Sequence, residues 1–180
     1  TRVLAWGTDR PKLFSHLTAV LAQANIKVLT VLAYALRDGR VLDEFHVTDA
    51  HDNPIRESGQ LERLQTHLQK VLKGEEPSAL ASPERADVLM QALPVQVRRH
   101  GAAAHNVTAI EVIAADRKYL LANLTAAIAD SGTEVRGTNI STFGEKAVDV
   151  FFVTNGEGKK LDESHGERVI GALERAAQLA

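Results

Sequence analysis

Apolar positions along this chain fall into two alternating regimes, and the alternation occurs twice. From Asp9 the stretch "DRPKLFSHLTAVLAQ" sets Leu13, Leu17, Val20 and Leu21 at helical spacing. From Asp116 the stretch "DRKYLLANLTAAIAD" sets Leu120, Leu124, Ala127 and Ile128 at the matching positions. Each helix-like segment follows an apolar, strand-like run, "RVLAW" (Arg2 to Trp6) in the first case and "VTAIEVIA" (Val107 to Ala114) in the second. Asp9 and Asp116 stand where a carboxylate could accept from the unpaired amides of a first turn, which predicts them as N-caps. Pro11 suits a first turn, where its missing N–H costs nothing.

After each helix come two β-rich runs. "IKVLTVLAYAL", the turn "RDGR" and "VLDEFHVTD" make up the first pair; "EVRGTNISTF", "GEK" and "AVDVFFVTN" make up the second. Glycine-containing turns between such runs predict hairpins. A further amphipathic helix closes each unit, carried by Leu61, Leu64, Leu68 and Val71 in one and by Val169, Ile170 and Leu173 in the other. The chain is thus an internal duplication of a β-α-β-β-α unit. The predicted fold class is α+β: two ferredoxin-like βαββαβ domains with antiparallel sheets and helices on one face.

Each unit lacks one strand of that plan. Between them, Lys73 to Asn106 is rich in Pro, Ser, Glu and Ala, and predicts a linker with a short helix around Glu84 to Leu93. Within it "PVQVRRH" alternates like a strand. It either completes repeat one in normal order or completes repeat two in permuted order, and the short loop to the next strand favours the second. The expected organisation is a first domain over 1–73, a linker over 74–94 and a second domain over 95–180, with strand 95–99 assignable to either domain.

Composition narrows the function. Net charge is −2 and aromatic content is 4%, a poor fit to an RNA-binding module that stacks bases on sheet aromatics. No apolar run reaches the ~18 residues of a membrane span, so neither nucleic acid nor membrane is an expected partner. The absence of cysteine removes disulfides and thiolate chemistry, and fits a reducing, cytoplasmic setting. The seven histidines have no metal-ligand spacing. His51-Asp52 stands alone in a loop-like stretch, and the basic "VRRHG" patch reads as solvated surface. Asp43 and Asp149 recur at one place in the third strand of each unit, which predicts a structural use, as a shared turn contact or a domain–domain bond. No nucleophile–base pair, P-loop or nucleotidyl-transfer signature is present, so the segment is expected to be inert as a catalyst. A chain that opens on Thr1 reads as part of a longer protein.

The stretches "TDRPKLF…LAQANIKVLTVLAYALRDGRVLDEFHVTD" and "ADRKYLLANLTAAIADSG…STFGEKAVDVFFVT" resemble ACT domains. More narrowly they resemble the tandem pair at the C-terminal end of the bifunctional uridylyltransferase/uridylyl-removing enzyme, which modifies the PII nitrogen-signalling protein. The hairpins Thr30 to Asp49 and Thr142 to Thr154 carry that likeness. The resemblance implies a regulatory module that binds L-glutamine or another small amino acid. The ligand would sit at the loop between first strand and first helix, often between two such domains. Carried onto this sequence, the ligand-contacting positions are Asp9, Arg10, Pro11, Lys12 and Leu13, with Asn25 and Ile26, and Asp116, Arg117, Lys118, Tyr119 and Leu120. A helix-opening loop suits the α-carboxylate of an amino acid, and either Asp could take an ammonium group.

Upstream catalytic domains and PII as their substrate are implied for a parent enzyme. Magnesium is implied for those domains, and no cofactor for this segment. Side-by-side pairing of domains, within a chain or as a homodimer, is also implied. The sequence departs from the family's Asp-Arg-Pro-Gly loop: Lys12 replaces the glycine in repeat one, and Lys118 and Tyr119 replace both residues in repeat two. Bulk there is expected to narrow or close a pocket, leaving repeat two structural. The alternatives are a free-standing ACT-repeat sensor of another amino acid and a ligand-free pairing scaffold.

Overall fold

The computed structural model describes residues 1–78, 93–100 and 106–178. Repeat one consists of β1 (Arg2–Thr8), α1 (Leu13–Gln23), β2 (Lys27–Ala35), β3 (Arg40–Thr48) and α2 (Ser58–Leu72). Repeat two consists of β5 (Thr108–Ala115), α3 (Leu120–Asp130), β6 (Thr133–Phe143), β7 (Lys146–Asn155) and α4 (Glu163–Gln178), preceded by β4 (Gln96–His100). The helix expected over Glu84 to Leu93 falls almost wholly outside the described residues, as does the connection from Gly101 to His105.

Both sheets are antiparallel, in the order β1-β3-β2 and β4-β5-β7-β6. β4 pairs with β5, from Gln96 opposite Ile113 to His100 opposite Ala109, so the alternating segment ahead of the second unit joins the second sheet. The register of the duplicated strands is itself duplicated. Phe45 lies opposite Val3 and Val31, and Phe151 lies opposite Ile110 and Thr138. Both hairpins carry an irregularity near the start of the outer strand, between Val28 and Thr30 and between Val135 and Gly137. Gly39 and Gly144 close the hairpin turns at φ 78° and 62°, a region in which a Cβ clashes with the following carbonyl.

The inward alternation of each sheet meets the apolar stripe of its helices. Phe45, Leu17, Leu21, Val31 and Val47 fill one core; Phe151, Leu124, Ile128, Ile110 and Val153 fill the other, all at 0–1% exposure. The cores form one continuous cluster because the repeats pair side by side. β2 lies along β6, so that a Cβ on Gly137 would come within 3.4 Å of the Ala33 carbonyl oxygen. Above this seam α1 packs on α3, and the equivalent hydroxyls of Thr18 and Thr125 share a buried hydrogen bond of 2.8 Å. Equivalent residues touching each other mark a pseudo-two-fold axis through the centre of the chain. The side-by-side pairing expected of such domains is therefore made within one chain. Among the described residues no helix is long and apolar enough to cross a membrane.

Candidate functional site

Both strand-to-helix loops are built alike. The N–H of Asp9 donates to the Gly39 carbonyl at 2.9 Å, and that of Asp116 donates to the Glu145 carbonyl at 2.8 Å, so each loop is tied to the tip of its own hairpin. A turn follows before the helix begins: Leu13 N–H donates to Arg10 O and Leu120 N–H to Arg117 O, both at 3.1 Å. Helices α1 and α3 therefore open four residues after the aspartates. Asp9 and Asp116 do not act as N-caps; Lys12 and Tyr119 occupy the cap positions, and among the described residues no side chain caps either helix. Pro11 sits in the preceding turn rather than in the first helical turn. Uncapped first-turn amides leave the positive ends of two helix dipoles without a fixed acceptor.

Lys12 and Tyr119 adopt φ of 65° and 67°, in the left-handed region. This explains why the loop favours glycine at that place: the demand is conformational, and a side chain there carries strain of about 1 kcal/mol. The bulk does not close the loops. A cavity of about 270 Å³ adjoins the first and one of about 230 Å³ adjoins the second, each worth several water volumes at ~30 Å³ apiece.

Each cavity is an interdomain cleft. The first is lined by Asp9 to Ser15 of repeat one and, from repeat two, by Thr125, Ile128, Ala129 and Thr133 to Val135. The second is lined by Asp116 to Ala122 of repeat two and, from repeat one, by Thr18, Ala22 and Asn25 to Val28. The expected site residues thus gather in two groups. Asp9, Arg10, Pro11, Lys12 and Leu13 border one cleft; Asn25, Ile26, Asp116, Arg117, Lys118, Tyr119 and Leu120 border the other. Sequence spacing carries no trace of this crossing, in which the strand after each helix walls the loop of the opposite repeat. Asn25 is placed by its own backbone: at φ 56° it ends α1 in the left-handed conformation that Gly132, at φ 68°, adopts after α3.

The two arginines are engaged elsewhere. Arg10 Nη2 donates to Val71 O at 2.6 Å, and Arg117 donates to Ala177 O at 2.6 Å and Ala176 O at 3.2 Å. Each guanidinium covers carbonyls in the last turn of its own repeat's second helix, where a cation also meets the negative dipole end.

The aspartates reach across the seam. Asp116 Oδ2 lies 3.6 Å from Lys27 Nζ, which also meets Asp52 at 3.1 Å. Asp9 Oδ2 lies 3.7 Å from Arg136 Nη1, and Arg136 also contacts Glu134. Lys12 Nζ bridges to Asp130 Oδ1 at 2.7 Å, spanning the first cleft from loop to the end of α3. Lys118 Nζ lies 5.0 Å from the centre of the Tyr119 ring.

Behind the loops, Asp43 and Asp149 are 3% and 2% exposed. Burial pushes both carboxyls up to about 7, with the neighbouring Asp9 and Asp116 charges adding to the effect. Burial also raises Asp116, against the pull of Lys27. Of the two only Asp149 borders a cleft; a backbone hydrogen bond from Ser141 opposes its rise, and its Oδ1 has no hydrogen-bond partner among the described residues. Its recurrence with Asp43 was visible as a pattern in the sequence. Its place at the cleft wall, and the part played by Lys27, were not. Among the described residues no group of His, Cys, Asp or Glu is placed to hold a metal ion.

No family model matches the sequence. A bifunctional uridylyltransferase/uridylyl-removing enzyme of Azospirillum brasilense is 32% identical over 184 residues, covering 96% of this chain and 20% of the enzyme. The enzyme of that name from Phenylobacterium zucineum (strain HLK1) is 30% identical over 180 residues, covering 97% of this chain and 19% of the enzyme. The chain therefore spans about a fifth of the length of these relatives. Aspartate kinase from Synechocystis shares the fold, with a TM-score of 0.51 at 16% identity, over 94% of this chain and 25% of that one. The chain is a homologue of one segment of the bifunctional uridylyltransferase/uridylyl-removing enzymes, folded as a tandem pair of ACT-type α+β domains.

Proposed function

We propose that this chain is the amino-acid-sensing regulatory module, with L-glutamine as its ligand, of an enzyme that uridylylates and deuridylylates the PII protein. The observation that carries the reading is the pair of interdomain clefts, each with an uncapped helix N-terminus on one wall and the opposite repeat on the other. Such a wall suits an α-carboxylate, and each cleft has room for a molecule of amino-acid size. A ligand bound across the seam contacts both repeats at once. Its binding energy therefore depends on their relative placement, which is the requirement for coupling to a distant site, typically about 1–3 kcal/mol. The homologues supply the parent activity in this proposal, and the described residues supply the sensor.

Calorimetric titration of the chain with L-glutamine tests the reading, with L-glutamate and the other common amino acids as comparisons. Saturable heat from glutamine, not reproduced by glutamate, is the expected result. Absence of heat from every amino acid would sink the sensing role and leave a pairing scaffold.

A further inference from the structure

The clefts are related by the duplication but differ in charge. In the cleft at the first loop the lining carboxylates of Asp9 and Glu134 meet Arg136, and Asp130 at its edge meets Lys12. At the second loop Lys27 is divided between Asp116 and Asp52, Lys118 is turned onto the Tyr119 ring, and Arg117 lies on the carbonyls of α4. Asp149 is left at the cleft wall, 2% exposed, with a backbone hydrogen bond from Ser141, with Oδ1 unpartnered among the described residues, and with a second carboxylate nearby on Asp116. A buried carboxylate without a cation is costly and persists where something else supplies the charge. The same cavity of about 230 Å³ is also lined by the uncapped start of α3.

Resting on the amino-acid reading above, we infer that the cleft at the second loop, and not its twin, is the one that seats the ligand. There Asp149 is the counter-ion of the ligand's primary ammonium group, and the first-turn amides of α3 receive its carboxylate. Positive and negative ends of a zwitterion thereby find partners within one cavity. The ammonium supplies the cation that Asp149 lacks among the described residues; it gives up its own hydration to do so, but no existing ion pair is broken. In the twin cleft the same ligand would have to displace Lys12 from Asp130 and would find no buried carboxylate, because Asp43 does not border that cavity. The side chain that discriminates among ammonium-bearing ligands is thus contributed by β7, away from the Asp-Arg loop.

Titrations of the 180-residue chain with L-glutamine and with its 2-hydroxy analogue, in which a hydroxyl replaces the ammonium, test this. The L-glutamine titration is repeated on Asp149→Asn and on Asp43→Asn, both of which keep the side-chain volume. The inference expects at least a ~10-fold weaker dissociation constant in Asp149→Asn, no more than twofold change in Asp43→Asn, and no saturation by the hydroxy analogue. Equal binding of analogue and amino acid would overturn it, and so would loss confined to Asp43→Asn. The analogue arm needs no variant, so it stands even if Asp149→Asn fails to fold. If the unmodified chain binds no amino acid, the sensing reading falls and this inference with it. If it binds glutamine while Asp149→Asn binds equally well, only this inference falls.

Discussion

Repeat one and repeat two spend the same backbone on different electrostatics. Their loops share a turn, a left-handed residue at Lys12 or Tyr119, an arginine on the closing helix and a buried aspartate on the third strand. Yet the first cleft is laced by side-chain ion pairs, while the second leaves Asp149 facing a cavity. Duplication reproduces whatever backbone geometry demands, because core apolar positions and turn conformations tolerate little change. Exposed and half-exposed side chains diverge freely, and with them the charge of each cleft. Two pseudo-equivalent sites can therefore share a shape and differ in what they bind.

Truncation in the core should cost the most. Phe45→Ala and Phe151→Ala remove equivalent, fully buried rings, and each is expected to cost about 3–5 kcal/mol in urea unfolding. A large difference between them would show that the repeats do not share one cooperative core.

Next come the buried carboxylates. In the folded chain both are raised from 3.8 to about 7, so the folded state holds more protons than the unfolded state between about pH 4 and 7. Stability from these groups accordingly falls as pH rises through that window. Asp43→Asn and Asp149→Asn remove the loss. Relative to the parent chain, each is expected to be stabilised by roughly 2–4 kcal/mol at pH 8, at ~1.4 kcal/mol per tenfold of proton affinity, and near neutral at pH 4. Denaturation at the two pH values checks this. A destabilised Asn variant at pH 8 would mean that the carboxylate is held by a favourable interaction.

A smaller effect lies at the axis. Thr18→Val or Thr125→Val alone removes the shared bond but leaves the remaining hydroxyl its own helix carbonyl, Ala122 O or Ser15 O respectively, so each should cost about 1 kcal/mol and the double variant less than the sum of the two. A double-mutant cycle measures the difference, and strict additivity would show that the hydroxyls do not interact.

The smallest effect is at the loops. Lys12→Gly and Tyr119→Gly each relieve a left-handed side chain and should stabilise by up to about 1 kcal/mol. Lys12→Gly should gain the less of the two because it also removes the solvent-screened bridge to Asp130. Thermal unfolding of the pair sharpens the contrast between the loops, and the reverse order would mean that the bridge contributes nothing.

Much of the fold was legible in the chain because its signals are local. Strand and helix periods predicted β2, β3, β6, β7 and both helix pairs to within a few residues. The Asp-Gly turn and the apolar alternation needed no distant partner to be read. The candidate loops were legible for the same reason, since the Asp-Arg frame occurs twice. The N-cap expectation at Asp9 and Asp116 failed because a cap depends on where the helix starts, and the Arg10 and Arg117 carbonyls inserted a turn first. The ties of Arg10 and Arg117 to α2 and α4 join residues about sixty positions apart, beyond the reach of any periodicity.

By itself the sequence determined the duplication, the α+β class and the identity of the loops, all of which follow from short-range patterns of burial and turn geometry. Only the tertiary structure decided that each loop faces the opposite repeat, that β4 joins the second sheet, and that Asp149 faces a cleft while Asp43 does not. Those outcomes depend on how two preformed units dock. Docking is settled by summed surface complementarity along β2 and β6 and at the Thr18–Thr125 contact, and no single stretch of residues encodes that sum.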